Sequence, residues 1–471
     1  MSAPVTGVFV LVRHGDRQGF YQNPISYAAS DTNLTVAGYL QGYANGQDLR
    51  QRYLNDSSAT RIASLDAQVH RGRSVKIVAD AGGEGSVIVD TANALAQGLY
   101  PPYPESITLA NGQNVTWENR AQLIEIETVE PEQSVALEGW TQCSAWQQRL
   151  AEYYETQWGR QSAFLAETFY NRTDVLGDRP RKYQNAWNLF DFLNVESIHN
   201  ATLAPQISDD TLFRAKRFAD IHESYAFGPP EVGSIGNIAG HAFSATLLDD
   251  MSRLSNASDA LSISIVAASY KLFLSMATLL DVQEYMPRDS VVDYASTFLF
   301  ELHSDDSFRL LFRNGSAGEW APLSILGAEA GALLPRAQLE QHLRPLAVES
   351  LAEWCDACGE TSARGCDTLA ALNGTGGAGF ASPASTEGRQ RVSPVVAGVI
   401  GALVALAVAA ALLALWVWVR GMPAYTGHAG EKKKKRGGGG YAGHELSPRS
   451  SNPHAGSQAE LVSGKPAAAE A

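Results

Sequence analysis

Five apolar residues, Val8-Phe9-Val10-Leu11-Val12, run directly into Arg13-His14-Gly15-Asp16-Arg17 close to the start of the chain. A short Val-rich run closed by a turn signal at Gly15 reads as a strand buried on both faces, as in an α/β sheet. The polar residues then fall at the strand's carboxyl end, where open α/β sheets place their ligand crevices. Each guanidinium offers a planar fork of donors that matches phosphate oxygens. A neutral imidazole between two such forks can attack phosphorus and carry the phosphoryl group covalently. The stretch therefore points to His14 as a nucleophile and to Arg13 and Arg17 as phosphate ligands. The plainer alternative is a surface turn with scattered basic residues. The catalytic reading requires the imidazole to face a cationic hollow fit for an oxyanion. A ring packed away from solvent, or arginines splayed onto opposite surfaces, would leave only a tethered structural ectodomain.

At Arg13, His14, Gly15 and Arg17 the sequence resembles the histidine phosphatase superfamily, in its acid phosphatase and phytase branch. The signature of that branch is Arg-His-Gly with a second Arg three residues after the His. Weaker similarity runs over residues 5–370. The resemblance implies a phosphoglycerate mutase-like α/β fold: a central mixed sheet flanked by helices, with a mostly helical cap inserted at roughly 118–260. It also implies phosphomonoester hydrolysis through a phosphohistidine at His14, with a phosphomonoester or inorganic phosphate as ligand and with neither metal nor cofactor.

Two further parts of the branch's pattern are missing. A third Arg is expected after the second strand, where the chain reads Asp80-Ala81-Gly82-Gly83-Glu84-Gly85-Ser86. A His-Asp pair is expected after a later strand, where Ala268-Ser269-Tyr270-Lys271 stands instead. The His would bind phosphoryl oxygens and the Asp would protonate the leaving alkoxide. Electrostatic stabilisation of the transferring group dominates phosphoryl transfer, and a general acid adds typically ~10²–10⁴-fold. The glycine-rich loop can offer backbone N–H donors, Lys271 a replacement charge, and Tyr270 or Glu84 a proton, each against a plainer structural role. His70, Arg71 and Arg73 precede the second strand, at its far end. His241, His303 and His342 read as ordinary core or surface histidines.

The net charge of −14 argues against nucleic acid as a partner, because phosphate backbones need a basic surface. The tail from Arg420 holds eight Lys/Arg against four Asp/Glu, which leaves −18 on residues 1–419. Residues 395–419 form an uncharged run of 25 residues that ends in Trp416-Val417-Trp418-Val419, long enough for a transmembrane helix. Glu431 and the basic cluster Lys432–Arg436 follow, which puts the tail in the cytosol and residues 1–394 outside or in a lumen. Eight Asn-x-Ser/Thr sequons, at Asn33, Asn55, Asn114, Asn171, Asn200, Asn256, Asn314 and Asn373, all precede the span and agree with a glycoprotein of type I orientation. Met1 to Thr6 lacks the features of an export signal, so a leader is expected to be missing from this sequence.

Cys143, Cys355, Cys358 and Cys366 all lie on the outer side. With no His at ligand spacing and an oxidising compartment, two disulfides are favoured over zinc or redox chemistry, and three pairings stay open.

Along the chain, periodicity predicts strands at 74–79 and 263–267 and a hairpin of 296–302 with 308–312 around Ser304-Asp305-Asp306. It predicts helices over 36–53, 88–99, 142–172, 189–200, 236–254 and 270–280. The domain reading is an ectodomain at 1–373, a Gly/Ala/Ser/Pro-rich linker at 374–394, the span at 395–419 and a disordered basic tail at 420–471. Two functions fit: a membrane-anchored phosphatase, weakened by the missing groups, or a pseudophosphatase that binds or senses a phosphorylated ligand in the same pocket.

Overall fold

The computed structural model describes residues 3–81, 85–129 and 134–374. The predicted strand is β1 (Val5–Arg13), followed by α1 (Val36–Tyr53), β2 (Val75–Asp80) and α2 (Val87–Leu99). Next come β3 (Tyr103–Thr108), β4 (Asn114–Arg120) and β5 (Ile126–Val129). Five helices then run in succession: α3 (Ser144–Glu155), α4 (Gln157–Tyr170), α5 (Ala186–His199), α6 (Asp209–Phe227) and α7 (Ile238–Ser255). The chain returns to β6 (Ile263–Ala268), α8 (Tyr270–Leu279), β7 (Thr297–His303) and β8 (Ser307–Arg313), with two-residue strands β9 (Ala321–Pro322) and β10 (Leu334–Pro335).

The main sheet has the order β10-β8-β7-β1-β6-β2-β5, with β9 against β8. β1, β6, β2 and β5 are mutually parallel, whereas β7 runs antiparallel to β1 and β8 antiparallel to β7, so the sheet is mixed as expected. β1 lies at the centre and buries both faces. Val8, Val10 and Val12 pack with Leu49, Leu95 and Leu99 of α1 and α2. Phe9 and Leu11 belong to the opposite core with Phe243 and Leu247 of α7 and Phe273 of α8. This two-sided burial is why β1 reads as an unbroken apolar run and not as an alternation. α1 and α2 approach closely because each brings a glycine: a Cβ on Gly46 would collide with the Leu95 carbonyl, and one on Gly98 with the Tyr43 carbonyl.

Two local expectations change. The 118–260 segment was read as mostly helical, yet β4 reaches Arg120 and β5 joins the edge of the main sheet beside β2. Only Ile124 to Glu127 alternates apolar with polar residues, and a four-residue edge strand is too short to stand out in a wider window. The continuous helix expected over 142–172 breaks at Thr156, whose extended backbone and side chain cap α4 by accepting from the Gly159 N–H.

Disulfides join Cys143 to Cys358 and Cys355 to Cys366, which selects one of the three pairings. The first ties the start of α3 to the helix at Leu351–Cys358. Among the described residues no helix is long and apolar enough to cross a membrane, and the predicted span at 395–419 lies outside them.

Candidate active site

The parallel strands bring three strand ends to one edge of the sheet: Arg13 of β1, which runs on to Arg17, Asp80 of β2, and Ala268 of β6, followed by Ser269. His14 sits where the ladder ends. Its N–H donates to the Ala268 carbonyl at 3.1 Å, and its own carbonyl accepts from the Ala295 N–H at 2.9 Å. The turn then presses onto the start of α1. A side chain on Gly15 would collide with Gly38, and one on Gly38 with the Asp16 carbonyl, so both positions need a bare backbone. The Gly15 N–H donates to Thr91 Oγ1 of α2 at 3.0 Å. Thr35 caps α1 through the Gly38 N–H and also donates to the Asp16 carboxylate. His199, at the end of α5, donates to the same carboxylate at 2.7 Å and so pins the helical insertion to the turn.

These contacts fix the chemical state of His14. Nδ1 lies 2.8 Å from the Gly15 carbonyl oxygen, which can only accept, so Nδ1 carries the proton and the lone pair is on Nε2. Burial holds the imidazole well below its usual range. The positive charges of Arg13 and Arg17 push in the same direction, and Lys271 adds to them against the opposing Gly15 carbonyl. The surroundings therefore favour the neutral ring, the form a nucleophile needs.

Arg13 and Arg17 lie on one side, as the catalytic reading requires. Both guanidiniums lie over the Tyr294 ring, at 4.6 and 5.7 Å from its centroid, and the His14 ring is 5.6 Å from the same ring. Arg13 donates to the Val292 carbonyl. Arg17 makes two parallel hydrogen bonds to Asp191 of α5, at 3.1 and 2.9 Å. The Tyr294 hydroxyl donates to Asp191 at 3.4 Å. The expected open hollow is not seen: His14 is 1% exposed and Arg17 0%, so the ring is packed away from solvent, which counts against the catalytic reading. Tyr294 and Asp191 pack directly against the two arginines, which is the physical reason.

On the β6 side, Ser269 N-caps α8 and its buried hydroxyl has no hydrogen-bond partner among the described residues. Lys271, in the first turn of α8, is buried with its ammonium 4.8 Å from the Trp140 ring centroid, and its charge reaches His14. Tyr270 points elsewhere. Its hydroxyl donates to Glu223 of α6 at 2.8 Å, and Glu223 also accepts from Tyr27 at 3.2 Å and from His222 at 2.7 Å. Burial and the Glu223 carboxylate hold the Tyr270 hydroxyl well above its usual range. Tyr270 is thus a ligand of a buried carboxylate, and its ring stacks on Trp187.

His241, His303 and His342 each bond a backbone carbonyl at 2.7 Å, those of Val232, Ala3 and Leu279. His70, Arg71 and Arg73 precede β2, at the end opposite the site. Gly82, Gly83 and Glu84 lie outside the described residues. Sequence reasoning missed Asp191, Glu223 and Tyr294. A carboxylate inside Leu189-Phe190-Asp191-Phe192-Leu193, and the His222-Glu223 pair in a helix, were available signals for the first two. Tyr294 gave none. Among the described residues, no group of His, Cys, Asp and Glu has the arrangement of a metal site.

No family model matches the sequence, and no curated protein matches it. Solved structures do. A phytase from Hafnia alvei, in its tartrate complex and in its apo form, aligns with 75% of this chain and 98% of its own, at 11% identity and a TM-score of 0.50. A phytase from Klebsiella sp ASR1 aligns over the same shares of the two chains at 15% identity and a TM-score of 0.49. The chain shares its fold with the Hafnia alvei phytase. That is the architecture implied by Arg13-His14-Gly15-Asp16-Arg17, and at these identities the likeness speaks for the fold alone.

Proposed function

We propose that the chain is a phosphomonoesterase of the histidine acid phosphatase type, in which Nε2 of His14 takes the phosphoryl group from the ester. The observation that carries this is the Nδ1–H···O=C bond from His14 to Gly15, which fixes the nucleophilic tautomer beside two arginines. In the reaction the P–O bond to the leaving group breaks as the Nε2–P bond forms. Water then attacks the phosphohistidine, releases inorganic phosphate and restores the imidazole. Arg13 and Arg17 hold the phosphoryl oxygens, and Lys271 supplies part of the charge that a third Arg would give.

Two features weaken turnover. Arg17 already gives two of its donors to Asp191, with which a phosphate would compete, and Tyr270, where the acid would stand, is committed to Glu223. Esters with good leaving groups, which need little protonation, are the favoured substrates. The missing acid and third Arg also favour a second reading, a pseudophosphatase that binds a phosphorylated ligand without turnover. Purified protein with a chromogenic phosphomonoester separates the two. Activity abolished by His14→Ala supports the enzyme. Equal inactivity of wild type and variant from acid to neutral pH, with phosphate still bound, supports the sensor.

The same proposal places the domain outside the cell or in a lumen, anchored by a single span at 395–419 with the tail in the cytosol. Support comes from the uncharged run followed by the Lys432–Arg436 cluster, from the two disulfides, and from the exposure of the sequon residues Asn33, Asn114, Asn171 and Asn256.

A further inference from the structure

A cavity of about 400 Å³ lies beside the arginine clamp, and Arg13, Asp191 and Tyr294 all contribute to its wall. Of the clamp only Arg13 reaches this wall, so an ester whose phosphate entered beside Asp191 would leave its organic part in this space. The charged residues of the wall are two cations, Arg13 and Lys216, and two carboxylates, Asp191 and Asp293. Arg13 belongs to the transferred phosphoryl group. Lys216 is already committed: its three ammonium hydrogens serve Asp220 at 2.9 Å, Ser290 Oγ at 2.7 Å and the Val291 carbonyl at 2.9 Å. A second phosphate on the substrate would find no cation left to receive it and would face Asp293, which is exposed. The uncharged part of the wall is mixed, with Trp187, Phe190 and Ile198 beside Gln41, Asn194 and Ser316.

We infer that this site takes monophosphate esters of uncharged, partly apolar leaving groups, and that Asp293 is the residue that turns polyphosphorylated substrates away. Asp293 acts by charge. The Asn314 side chain orients it by donating to Asp293 Oδ2 at 2.7 Å and accepting from the Asp293 N–H at 3.0 Å. Each additional phosphate adds like charge against a carboxylate whose side-chain partner is the uncharged Asn314 amide. The cavity volume also suits one ring-sized group.

This inference rests on the proposed function, and its test keeps the two apart. Binding is measured by calorimetry on the full-length chain in the His14→Ala background, which has no nucleophile to turn the ligand over. The ligands are inorganic phosphate, phenyl phosphate and inositol hexakisphosphate. Phenyl phosphate should bind at least tenfold more tightly than inositol hexakisphosphate. Asp293→Lys should cut that ratio tenfold or more by tightening the hexakisphosphate, and Asp293→Asn should give an intermediate value. Inositol hexakisphosphate binding more tightly than phenyl phosphate, or a ratio unmoved by both variants, overturns the role of Asp293 while leaving the clamp intact. Failure of all three ligands to bind overturns the clamp itself, and the inference with it.

Discussion

Asp191 of α5 and Arg17 of the β1–α1 turn face each other through two parallel hydrogen bonds, with side-chain exposures of 4% and 0%. A carboxylate thereby occupies the fork that a phosphate would use. The pair joins the helical insertion to the catalytic turn, beside the second link from His199 to Asp16.

Replacing Asp191 by Asn leaves a buried guanidinium without its counter-charge, which typically costs ~3–5 kcal/mol. Thermal denaturation should show a lower Tm for Asp191→Asn. Inorganic phosphate should raise that Tm by more than it raises the wild-type value, because the anion replaces the lost carboxylate. Equal phosphate shifts in both proteins would mean that phosphate does not reach Arg17.

The depressed His14 titration predicts how stability follows pH. Above about pH 6.5 the imidazole is neutral in both folded and unfolded chains. Below that the unfolded chain takes up a proton that the folded chain refuses, so stability falls as pH drops toward the folded-state value. His70 and His241 are lowered by burial and act in the same direction. Denaturant unfolding of His14→Ala should therefore lose about one proton's share of the slope, ~1.4 kcal/mol per pH unit, and keep the rest. An unchanged slope would show that His14 titrates normally.

Lys271 lowers the His14 titration through its charge. Lys271→Met should raise it and move the acid limb of kcat/KM to higher pH, with a lower plateau from the lost cation. A limb that stays in place would remove Lys271 from the electrostatics of the site.

Tyr270 bonds Glu223 and is not aimed at a leaving group. Tyr270→Phe should cost ~1.5–3 kcal/mol of stability, the usual value for a hydrogen bond to a charged group. The rate ratio between aryl and alkyl phosphates should not change. A selective loss on the alkyl ester would make Tyr270 the missing acid.

The disulfides differ in the chain they close. Cys143–Cys358 spans 215 residues and Cys355–Cys366 spans 11. In the chain-entropy model these are worth about 5 and about 3 kcal/mol. The double variant Cys143→Ser, Cys358→Ser should therefore unfold at lower denaturant than Cys355→Ser, Cys366→Ser.

What the sequence revealed was local. β1 and α1 were legible because burial on both sheet faces and a helical stripe leave their periods in a few consecutive residues. Arg13, His14 and Arg17 were legible because one turn holds them. Asp191 meets Arg17 across 174 residues, and Glu223 meets Tyr270 across 47. Such partnerships arise from where α5 and α6 cross the sheet edge, which no local window contains. The closure of the site over His14 was hidden for the same reason, since Tyr294 arrives on the loop that leads into β7. Disulfide pairing likewise depended on α3 meeting the helix at Leu351–Cys358.

The most direct measurement is covalent. Rapid quenching of the protein with a labelled aryl phosphate into base, followed by peptide mass spectrometry, should find one phosphoryl group on His14. The label should be lost on acid treatment and absent from His14→Ala. Ester turnover with no label on His14, or a label that survives in His14→Ala, would contradict a phosphohistidine mechanism at this site.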